Sequence, residues 1–387
     1  MKSANSLMSS LGTTVFEVMS ALAREHNSVN LGQGFPDDKG PDEVRAAAAD
    51  YLLNGHNQYP PMMGIPELRQ GVAEHAKRFQ GLDVDWQTEV LVTSGATEAL
   101  GDCLFGLIEP GDEVVLIEPL YDSYLPMVRR AGGIPKMVRL EPPSWRLPKE
   151  ELAAAFSDRT KLILFNTPMN PCSKVFDEEE LDFIAGLCLK HDVYAICDEV
   201  YEHIIFDDRR HVSLMTRPGM RNRTVRIGSA GKSFSLTGWK VGYITAAPDL
   251  MRAIAKTHQF MTFTTPPNLQ WGAATGLRLG DNYFTGLARD MQRKRDRLAG
   301  ALSEIGFEVL PAHGTYFVTT DFRPLGFNGT DEDFCRHITV EAGVTAVPVS
   351  AFYDESAQAP RHFARFCFCK HDATLDSAVE RLAAHFR

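Results

Sequence analysis

The side chains best suited to catalysis lie just after short apolar runs that the sequence pattern predicts to be β-strands. Lys232 follows the run 224–228 in a tight turn that also holds Ser229, and Asp198 follows the run 193–197. Active sites in open α/β sheets lie at the carboxyl ends of the strands. We therefore expect the lysine amine and the aspartate carboxylate to lie in one site.

A lysine held at a strand end can form a Schiff base with an aldehyde cofactor, pyridoxal phosphate. That cofactor needs a carboxylate beside its protonated ring nitrogen, because the cationic ring is the electron sink that stabilises a carbanion, and Asp198 can supply it. Its phenolic oxygen needs hydrogen-bond donors, and Tyr201 and Asn170 are candidates. Each residue alone has a simpler explanation, such as a surface lysine, a helix cap or a core tyrosine. Only their joint placement favours this chemistry.

The phosphate of such a cofactor needs a helix N-terminus together with hydroxyl and cationic groups. Gly95, Ala96 and Thr97 open a predicted helix directly after a β-rich run, and Ser229 and Lys240 can add the polar groups. These five residues are therefore the candidate phosphate site. Taken alone, the glycine turn is equally compatible with an ordinary capped turn.

A nucleotide hydrolase is the competing interpretation of the lysine turn. Residues 231–233 imitate the end of a G-x-x-x-x-G-K-[ST] phosphate loop, and Asp198 with Glu199 imitates an acidic strand that holds magnesium. However, Arg226 stands where the first glycine of the loop should be, and Gly238 comes too soon for the long helix that should follow. The acidic strand also precedes the supposed loop, which reverses the usual order. We therefore set this interpretation aside.

Strand-like and helix-like patterns alternate along most of the chain, and these elements must position the site. Such alternation predicts an α/β domain with a mainly parallel sheet. The C-terminal third differs, because a charged helix over 284–305 precedes two strands expected to be antiparallel and joined at His313-Gly314. A smaller α+β domain is expected there. The other main predicted elements are helices at 67–78 and 97–107, strands at 89–93, 111–119, 161–166, 193–199, 224–230 and 362–369, and a helix opened by a capping box of Asp177 and Glu180.

Composition narrows the possible function classes. The 387 residues are 44% hydrophobic and 23% charged, as in a globular protein of two or three domains. The 40 Lys+Arg and 50 Asp+Glu give a net charge of −10, which argues against a nucleic-acid or membrane partner. There is no apolar run of signal-peptide or membrane-span length, and the seven cysteines form no C-x-x-C pair, so we expect a cytoplasmic protein with free thiols. The histidines lack metal-site spacing, and no metal is expected.

Taken together, the motifs resemble those of the fold-type I aminotransferases of class I/II over essentially the whole chain, above all the methionine and kynurenine–oxoglutarate aminotransferase branch. The resemblance implies pyridoxal phosphate dependence and an aspartate-aminotransferase-like α/β fold. It implies a large domain, 45–280, with a mainly parallel seven-stranded sheet, and a smaller α+β domain built from 1–44 with 281–387. The stretches that carry it are VNLGQGFPD (29–37), NQYPPMMGIPELR (57–69), VTSGATEAL (92–100), NTPMNPCSKVF (166–176), ICDEVYEHIIF (196–206), GSAGKSFSLTGWKVGY (228–243) and RFCFCK (365–370).

The resemblance also implies roles for individual residues. Lys232 would move the proton between the substrate Cα and the cofactor, and Tyr121 would stack on the cofactor ring. Arg365 matches the arginine that binds the substrate α-carboxylate by a two-pronged pair, assisted by Asn170 and the backbone of Gly34. The alternating strand around Arg365 supports this role independently, because a buried arginine needs an anionic partner.

Three aromatic residues match positions at the subunit boundary or in the side-chain pocket. Tyr59 matches a tyrosine that reaches the phosphate of the neighbouring subunit, so the resemblance implies a homodimer with a shared active site. Phe16 and Phe263 match positions that line the pocket for the substrate side chain.

Three positions depart from the pattern of the family. Lys240 stands where arginine is usual, which keeps the charge but loses the fork. Ser173 stands where glycine is common, so the turn around it is expected to differ in shape. Thr264 stands where the kynurenine branch often has histidine, which favours methionine and aromatic donors. The pocket segments also offer no evident basic residue for a distal carboxylate, which argues against aspartate.

The predicted reaction moves an amino group from a methionine, aromatic or glutamine-type amino acid to a 2-oxo acid in two half-reactions with ping-pong kinetics. A carbon–sulfur β-lyase acting on cysteine conjugates would use the same cofactor and residues. A non-enzymatic binding or regulatory protein on this fold is the alternative of a different class. Both alternatives stay open at the level of the sequence.

Overall fold

A seven-stranded sheet and a four-stranded sheet organise the chain, in a computed structural model that describes residues 2–354 and 357–386. In chain order the strands are β1 (Val29–Asn30), β2 (Val90–Thr93), β3 (Glu113–Glu118), β4 (Ile134–Arg139), β5 (Thr160–Asn166), β6 (Tyr194–Asp198), β7 (Thr224–Ser229), β8 (Gly242–Thr245), β9 (Glu308–Val309), β10 (Phe317–Asp321), β11 (Val344–Thr345), β12 (Val347–Pro348) and β13 (Phe363–Cys367). The α-helices are α1 (Ser6–Ser10), α2 (Val15–Glu25), α3 (Asp42–Asn54), α4 (Pro66–Gln80), α5 (Trp86–Glu89), α6 (Gly95–Leu107), α7 (Tyr124–Arg130), α8 (Lys149–Ala155), α9 (Glu178–Lys190), α10 (Ala230–Ser233), α11 (Pro248–Met261), α12 (Pro267–Leu277), α13 (Asp281–Ile305), α14 (Asp331–His337) and α15 (Asp372–Phe386).

The larger sheet has the order β2-β8-β7-β6-β5-β3-β4 and is mainly parallel, as predicted. Only β8 runs against its neighbours, so β2, β3, β5, β6 and β7 all end at the same edge. Along β5, Leu162 and Leu164 join one core cluster and Ile163 and Phe165 join another. Both faces of the sheet are therefore covered, which explains the continuous apolar runs.

The smaller sheet is antiparallel and has the order β12-β13-β10-β9. The antiparallel pairing of β9 with β10 confirms the prediction of two such strands joined at His313-Gly314. The N-terminal segment joins this region, because β1 pairs in parallel with β11. The division into 45–280 and 1–44 with 281–387 stays a prediction, and its first boundary falls inside the first turn of α3.

Local sequence signals explain where several helices begin and end. Pro66 is the first residue of α4, and Gly81 ends that helix in the left-handed conformation with φ of 68°. The predicted capping box of Asp177 and Glu180 opens α9. Helix α6 begins at Gly95, two residues earlier than predicted, so three of the candidate phosphate residues, Gly95, Ala96 and Thr97, lie in its first turn. In the described part of the chain, no helix combines the length and apolarity that crossing a bilayer requires.

Candidate active site

A cavity lies at the edge where the parallel strands end, between the two sheets. The sequence-predicted residues that line it are Phe16, Gly34, Gly95, Ala96, Thr97, Tyr121, Asn170, Asp198, Tyr201, Ser229, Lys232, Lys240 and Arg365. Two predicted residues, Tyr59 and Phe263, do not line it. The structure therefore brings together the residues of five strand ends and of β13, as the sequence argument requires.

Lys232 lies in the short helix α10, immediately after β7. The hydroxyl of Tyr316 donates a 2.7 Å hydrogen bond to the carbonyl oxygen of Lys232, which fixes the backbone of this turn. The amine lies 5.5 Å from the centre of the Tyr201 ring. Burial lowers the pKa of Lys232 from its ordinary value. A lysine with a lowered pKa is more readily neutral, as a nucleophile or a base must be.

Asp198 is the last residue of β6 and lies opposite Asn166 in the register of β5. Its carboxylate accepts a 2.7 Å hydrogen bond from the hydroxyl of Tyr124, and its carbonyl oxygen accepts one from the Asn166 amide. Burial raises the pKa of Asp198 to about 6. A cationic ring nitrogen beside this carboxylate would compensate its desolvation, so the site fits a protonated pyridine.

The first turn of α6 forms a cradle for an anion. Gly95 has φ of +80°, and a Cβ atom there would lie 3.2 Å from Cε of Lys240. A Cβ atom on Gly242 would lie only 2.6 Å from the carbonyl carbon of Gly95, so two glycines let β8 and the turn approach closely. The backbone N–H groups of the turn, Ser229 and Lys240 together have the donor chemistry that a phosphate group requires.

Arg365 lies on β13, the strand flanked by β12 and β10, and is 1% exposed. It donates a 2.6 Å hydrogen bond to Oδ1 of Asn170 and a 2.8 Å hydrogen bond to the carbonyl oxygen of Gly32, while its Nε has no hydrogen-bond partner among the described residues. The guanidinium carbon lies 3.8 Å from the centre of the Phe317 ring and 5.4 Å from that of Phe16. Burial lowers the pKa of Arg365 to about 10, which still leaves it charged at neutral pH.

The turn around Ser173 does not differ in the way expected from the replacement of glycine. Ser173 has φ of +59°, the left-handed conformation that favours glycine. Its hydroxyl lies 2.7 Å from the carbonyl oxygen of Phe317, to which it donates, and 2.8 Å from the hydroxyl of Thr315. These hydrogen bonds offset the backbone strain, so the turn that presents Asn170 keeps a shape suited to glycine.

Tyr59 and Phe263 lie together on the surface, outside the cavity of their own chain. Their rings make an edge-to-face contact at 5.6 Å, with exposed fractions of 81% for Tyr59 and 41% for Phe263. The expectation that Phe263 lines a pocket is therefore not met within one chain.

Four site residues were missed by the sequence argument. Tyr124 holds the Asp198 carboxylate and Asn166 its backbone, while Tyr316 fixes Lys232 and Phe317 covers Arg365. Tyr124 could have been found, because it lies only three residues after Tyr121 and begins α7. The aromatic pair 316–317 gave no comparable signal, since a strand of the core explains it equally well.

The charge of the cavity completes the fit to the expected cofactor. Among the described side chains that line it, Lys232, Lys240 and Arg365 are basic, whereas Asp198 is the one carboxylic acid. This balance suits a ligand with a phosphate group and a substrate with a carboxylate. The residues present therefore fit pyridoxal phosphate and an amino acid.

Comparison with known proteins identifies the family. Residues 26–382 match the family model described as aminotransferase class I and II. The chain is 43% identical over 380 residues to a probable N-succinyldiaminopimelate aminotransferase, DapC, of Mycobacterium tuberculosis, and 40% identical over 372 residues to methionine aminotransferase of Escherichia coli, with 96% of each chain covered in both cases. The solved structure of N-succinyldiaminopimelate aminotransferase from Mycobacterium tuberculosis matches with a TM-score of 0.95 at 42% identity, covering 99% of this chain and 100% of that one. The chain therefore belongs to the class I and II aminotransferases, which depend on pyridoxal phosphate.

Proposed function

We propose that the enzyme transfers the amino group of an amino acid with an apolar or aromatic side chain, such as methionine, to a 2-oxo acid. One observation carries the proposal: the amine of Lys232, the carboxylate of Asp198 and the guanidinium of Arg365 line one cavity. When bound, pyridoxal phosphate supplies an aldehyde that accepts amino groups and a cationic ring that stabilises negative charge at Cα.

In this proposal different residues bind the substrate, move its proton and hold the cofactor ring. Arg365 binds the substrate α-carboxylate, and the aromatic rings against its guanidinium exclude water from that contact. Lys232, whose lowered pKa favours the neutral amine, would hold and move the proton of the substrate Cα. Asp198 keeps the ring nitrogen protonated, and Tyr124 orients Asp198.

The remaining contacts are proposed for the cofactor and for positioning. Tyr121 would stack on the ring, and Tyr201 and Asn170 would hold its phenolic oxygen. Five residues would hold the phosphate: Gly95, Ala96, Thr97, Ser229 and Lys240. Asn170 accepts a hydrogen bond from Arg365, so it links the substrate site to the cofactor site.

The donor side chain is proposed to be uncharged. The cavity has apolar lining from Phe16, Phe35, Tyr121 and Leu100. Within the described residues that line the cavity, each of the three cations already has a partner in the proposal, which leaves none for a distal carboxylate. An acidic donor would therefore bury an unpaired charge.

A donor panel tests the proposal. Methionine, phenylalanine and glutamine should be converted with several 2-oxo acids, and methionine or phenylalanine should exceed aspartate and N-succinyldiaminopimelate by at least about tenfold in kcat/KM. Preference for a dicarboxylic donor would contradict the proposed substrate class. Pyruvate and ammonia formed from a cysteine conjugate without an oxo-acid acceptor would instead indicate a β-lyase.

Substitution of the lysine tests the chemistry. Lys232→Ala should lose transamination by at least about 10⁴-fold and lose the visible absorption band of lysine-bound cofactor. Lys294→Ala is the matched control, because Lys294 is also buried but pairs with Asp290 at 2.9 Å on α13. Retained activity and absorbance in Lys232→Ala would overturn the assignment of this residue.

We further propose that the enzyme works as a homodimer in the cytoplasm. Leu53, Tyr59, Phe260 and Met261 are between 65% and 81% exposed and form large apolar surface that a second copy would cover. The same contact would let Tyr59 and Phe263 complete the partner's cavity. The seven cysteines are free, which suits a reducing compartment. Sedimentation should show a dimer, and a monomer at micromolar concentration would contradict the shared site.

A further inference from the structure

His258 is a fully buried histidine in the last turn of α11, outside the cavity. Its Nδ1 lies 2.8 Å from Oε1 of Glu98 and 3.6 Å from Oδ2 of Asp102. Its Nε2 lies 3.0 Å from the carbonyl oxygen of Met62. A carboxylate and a carbonyl can only accept hydrogen bonds, so both ring nitrogens must donate. The geometry therefore defines a doubly protonated, cationic imidazolium.

The electrostatics of the cluster agree with this protonation state. Burial alone lowers the pKa of His258, but the contacts with the carboxylates of Asp102 and Glu98 outweigh burial and raise it to about 9. Burial raises the pKa of Glu98, but hydrogen bonds from His258, Thr262 and the backbone N–H of Ser94 outweigh it and leave that pKa below its ordinary value. Glu98 and His258 are therefore an ion pair at neutral pH. Protonation of both imidazole nitrogens also leaves no lone pair for a metal ion.

Glu98 connects this ion pair to the candidate phosphate site. It lies in the first turn of α6, and its second oxygen accepts a hydrogen bond from the backbone N–H of Ser94. The N–H groups of Gly95 and Ala96 follow directly in the cradle for the phosphate. A carboxylate thus lies directly behind the turn that forms a site for an anion, outside the cavity lining, where its uncompensated charge would repel the phosphate. Asp102 lies one turn further along the helix.

We propose that His258 is a positioning residue for the cofactor, whose positive charge neutralises Glu98 so that this carboxylate can shape the phosphate cradle without repelling the phosphate. The inference rests on the proposed function, because it takes the turn at 94–97 as the phosphate site. It assigns a role to a residue that touches neither substrate nor cofactor. Glu98 holds the turn at 94–97 through its hydrogen bond from Ser94, and His258 neutralises the negative charge of Glu98.

Retention of the cofactor by the purified full-length enzyme tests the proposal. Equilibrium dialysis against pyridoxal phosphate should show affinity about tenfold weaker in His258→Gln than in the wild type. The double variant His258→Gln/Glu98→Gln should return to within about threefold of the wild type, because the repelling charge is gone. A purely structural loss would not be rescued by a second substitution. A double variant no better than His258→Gln would overturn the proposal, as would wild-type affinity in His258→Gln.

Pyridoxal, which lacks the phosphate, separates charge from general damage. Its affinity should change less than about twofold in His258→Gln, since the effect acts on the phosphate. Equal losses for pyridoxal and pyridoxal phosphate would overturn the proposal. His75→Gln, another buried histidine remote from the turn, is the control and should retain the cofactor as the wild type does.

A further variant keeps the test decisive if His258→Gln does not fold. Glu98→Gln alone keeps the imidazolium and should bind pyridoxal phosphate at least as tightly as the wild type, by up to about threefold more. Weaker binding by Glu98→Gln would overturn the proposal. A wild-type enzyme that retains no pyridoxal phosphate would refute the proposed function itself, whereas a wild type that retains it and an unaffected His258→Gln would refute only this inference.

Discussion

Two arginines, Arg226 and Arg365, lie on strands of different sheets and are equally buried, with 1% of each exposed. Arg226 is held by two carboxylates: its Nε lies 2.5 Å from Glu199, and its Nη2 contacts Glu202. Arg365 is held by an amide, a carbonyl and aromatic rings, and no carboxylate lies within ion-pair distance of it in the described residues. The first arginine has its counterions in the protein, and the second leaves its charge available for a ligand.

The difference shows that burial of an arginine does not by itself reveal its role. A buried charge must be neutralised, and the protein can do so internally or by binding an anion. Arg226 therefore belongs to the framework of the sheet, while Arg365 is proposed to bind the substrate carboxylate. The predictions that follow test each half of this contrast.

Removal of Arg226 should give the largest effect. Arg226→Met leaves the carboxylates of Glu199 and Glu202 buried without their cation, so the free energy of unfolding should fall by about 3–5 kcal/mol. Urea unfolding measures the change. Arg223→Met is the control, since Arg223 pairs with the exposed Asp192 and should cost less than about 1 kcal/mol. Equal losses of unfolding free energy in Arg226→Met and Arg223→Met would contradict a special structural role for the buried ion pairs of Arg226.

Removal of Arg365 should instead affect the substrate. Arg365→Met leaves only an amide and a carbonyl unpaired, so it should lower the free energy of unfolding by no more than about 1–2 kcal/mol. The kcat/KM for the amino donor should fall by about 100-fold, with pyridoxal phosphate still bound. Arg361→Met removes an exposed arginine paired with Glu332 and should leave kcat/KM unchanged. A stable, fully active Arg365→Met enzyme would contradict the role.

Lowering the pH should decrease the free energy of unfolding through the buried histidines near the ion pairs of Arg226. Near Glu202, His75 and His203 lie 2.7 Å apart, and burial lowers their pKa values from 6.5 to about 4 and about 3. Between pH 6.5 and about 4 the unfolded chain therefore binds more protons than the folded one. The contribution of these histidines to the free energy of unfolding is fully present above pH 6.5. As the pH is lowered below 6.5, the free energy of unfolding should decrease by up to about 1.4 kcal/mol per pH unit for each histidine that stays neutral in the folded protein.

Thermal unfolding at several pH values measures this dependence. The double variant His75→Gln/His203→Gln should show a flatter decline between pH 6.5 and 4 than the wild type. The exposed pair of His337 and His385, 3.0 Å apart, gives the control, and His385→Gln should leave the wild-type slope unchanged. A slope that is the same in all three proteins would remove the buried pair from the explanation.

Lys240 should show the smallest effect, because it is the exposed cation of the cavity. Lys240→Met should weaken pyridoxal phosphate binding by only about three- to tenfold, since water and salt screen its charge. The loss should shrink as salt is raised. Lys256→Met, an exposed lysine bonded to Gln259, should leave the affinity unchanged. A loss of affinity for pyridoxal phosphate above 100-fold would contradict the expectation that solvent screens the charge of Lys240.

The sequence was sufficient for what depends on local pattern and strand-end placement. The apolar runs predicted the strands, and the polar residues that follow them do meet at one edge. It was insufficient where contacts join distant segments. Glu98 and His258 are 160 residues apart in the chain, and no spacing pattern predicts their contact. The contact between His75 and His203 was not predicted from the spacing of the histidines for the same reason. The conformation of Ser173 was also missed, because its hydroxyl bonds to Phe317 arise only after folding.

The pairing of β1 with β11 holds the segment that carries Gly32. These two strands form a separate two-stranded sheet, and the chain after β1 reaches the sheet of Arg365, whose Nη2 donates a hydrogen bond to the carbonyl oxygen of Gly32. A substitution in β1 or β11 is therefore expected to move a hydrogen-bond partner of Arg365, although it changes none of the described side chains that line the cavity.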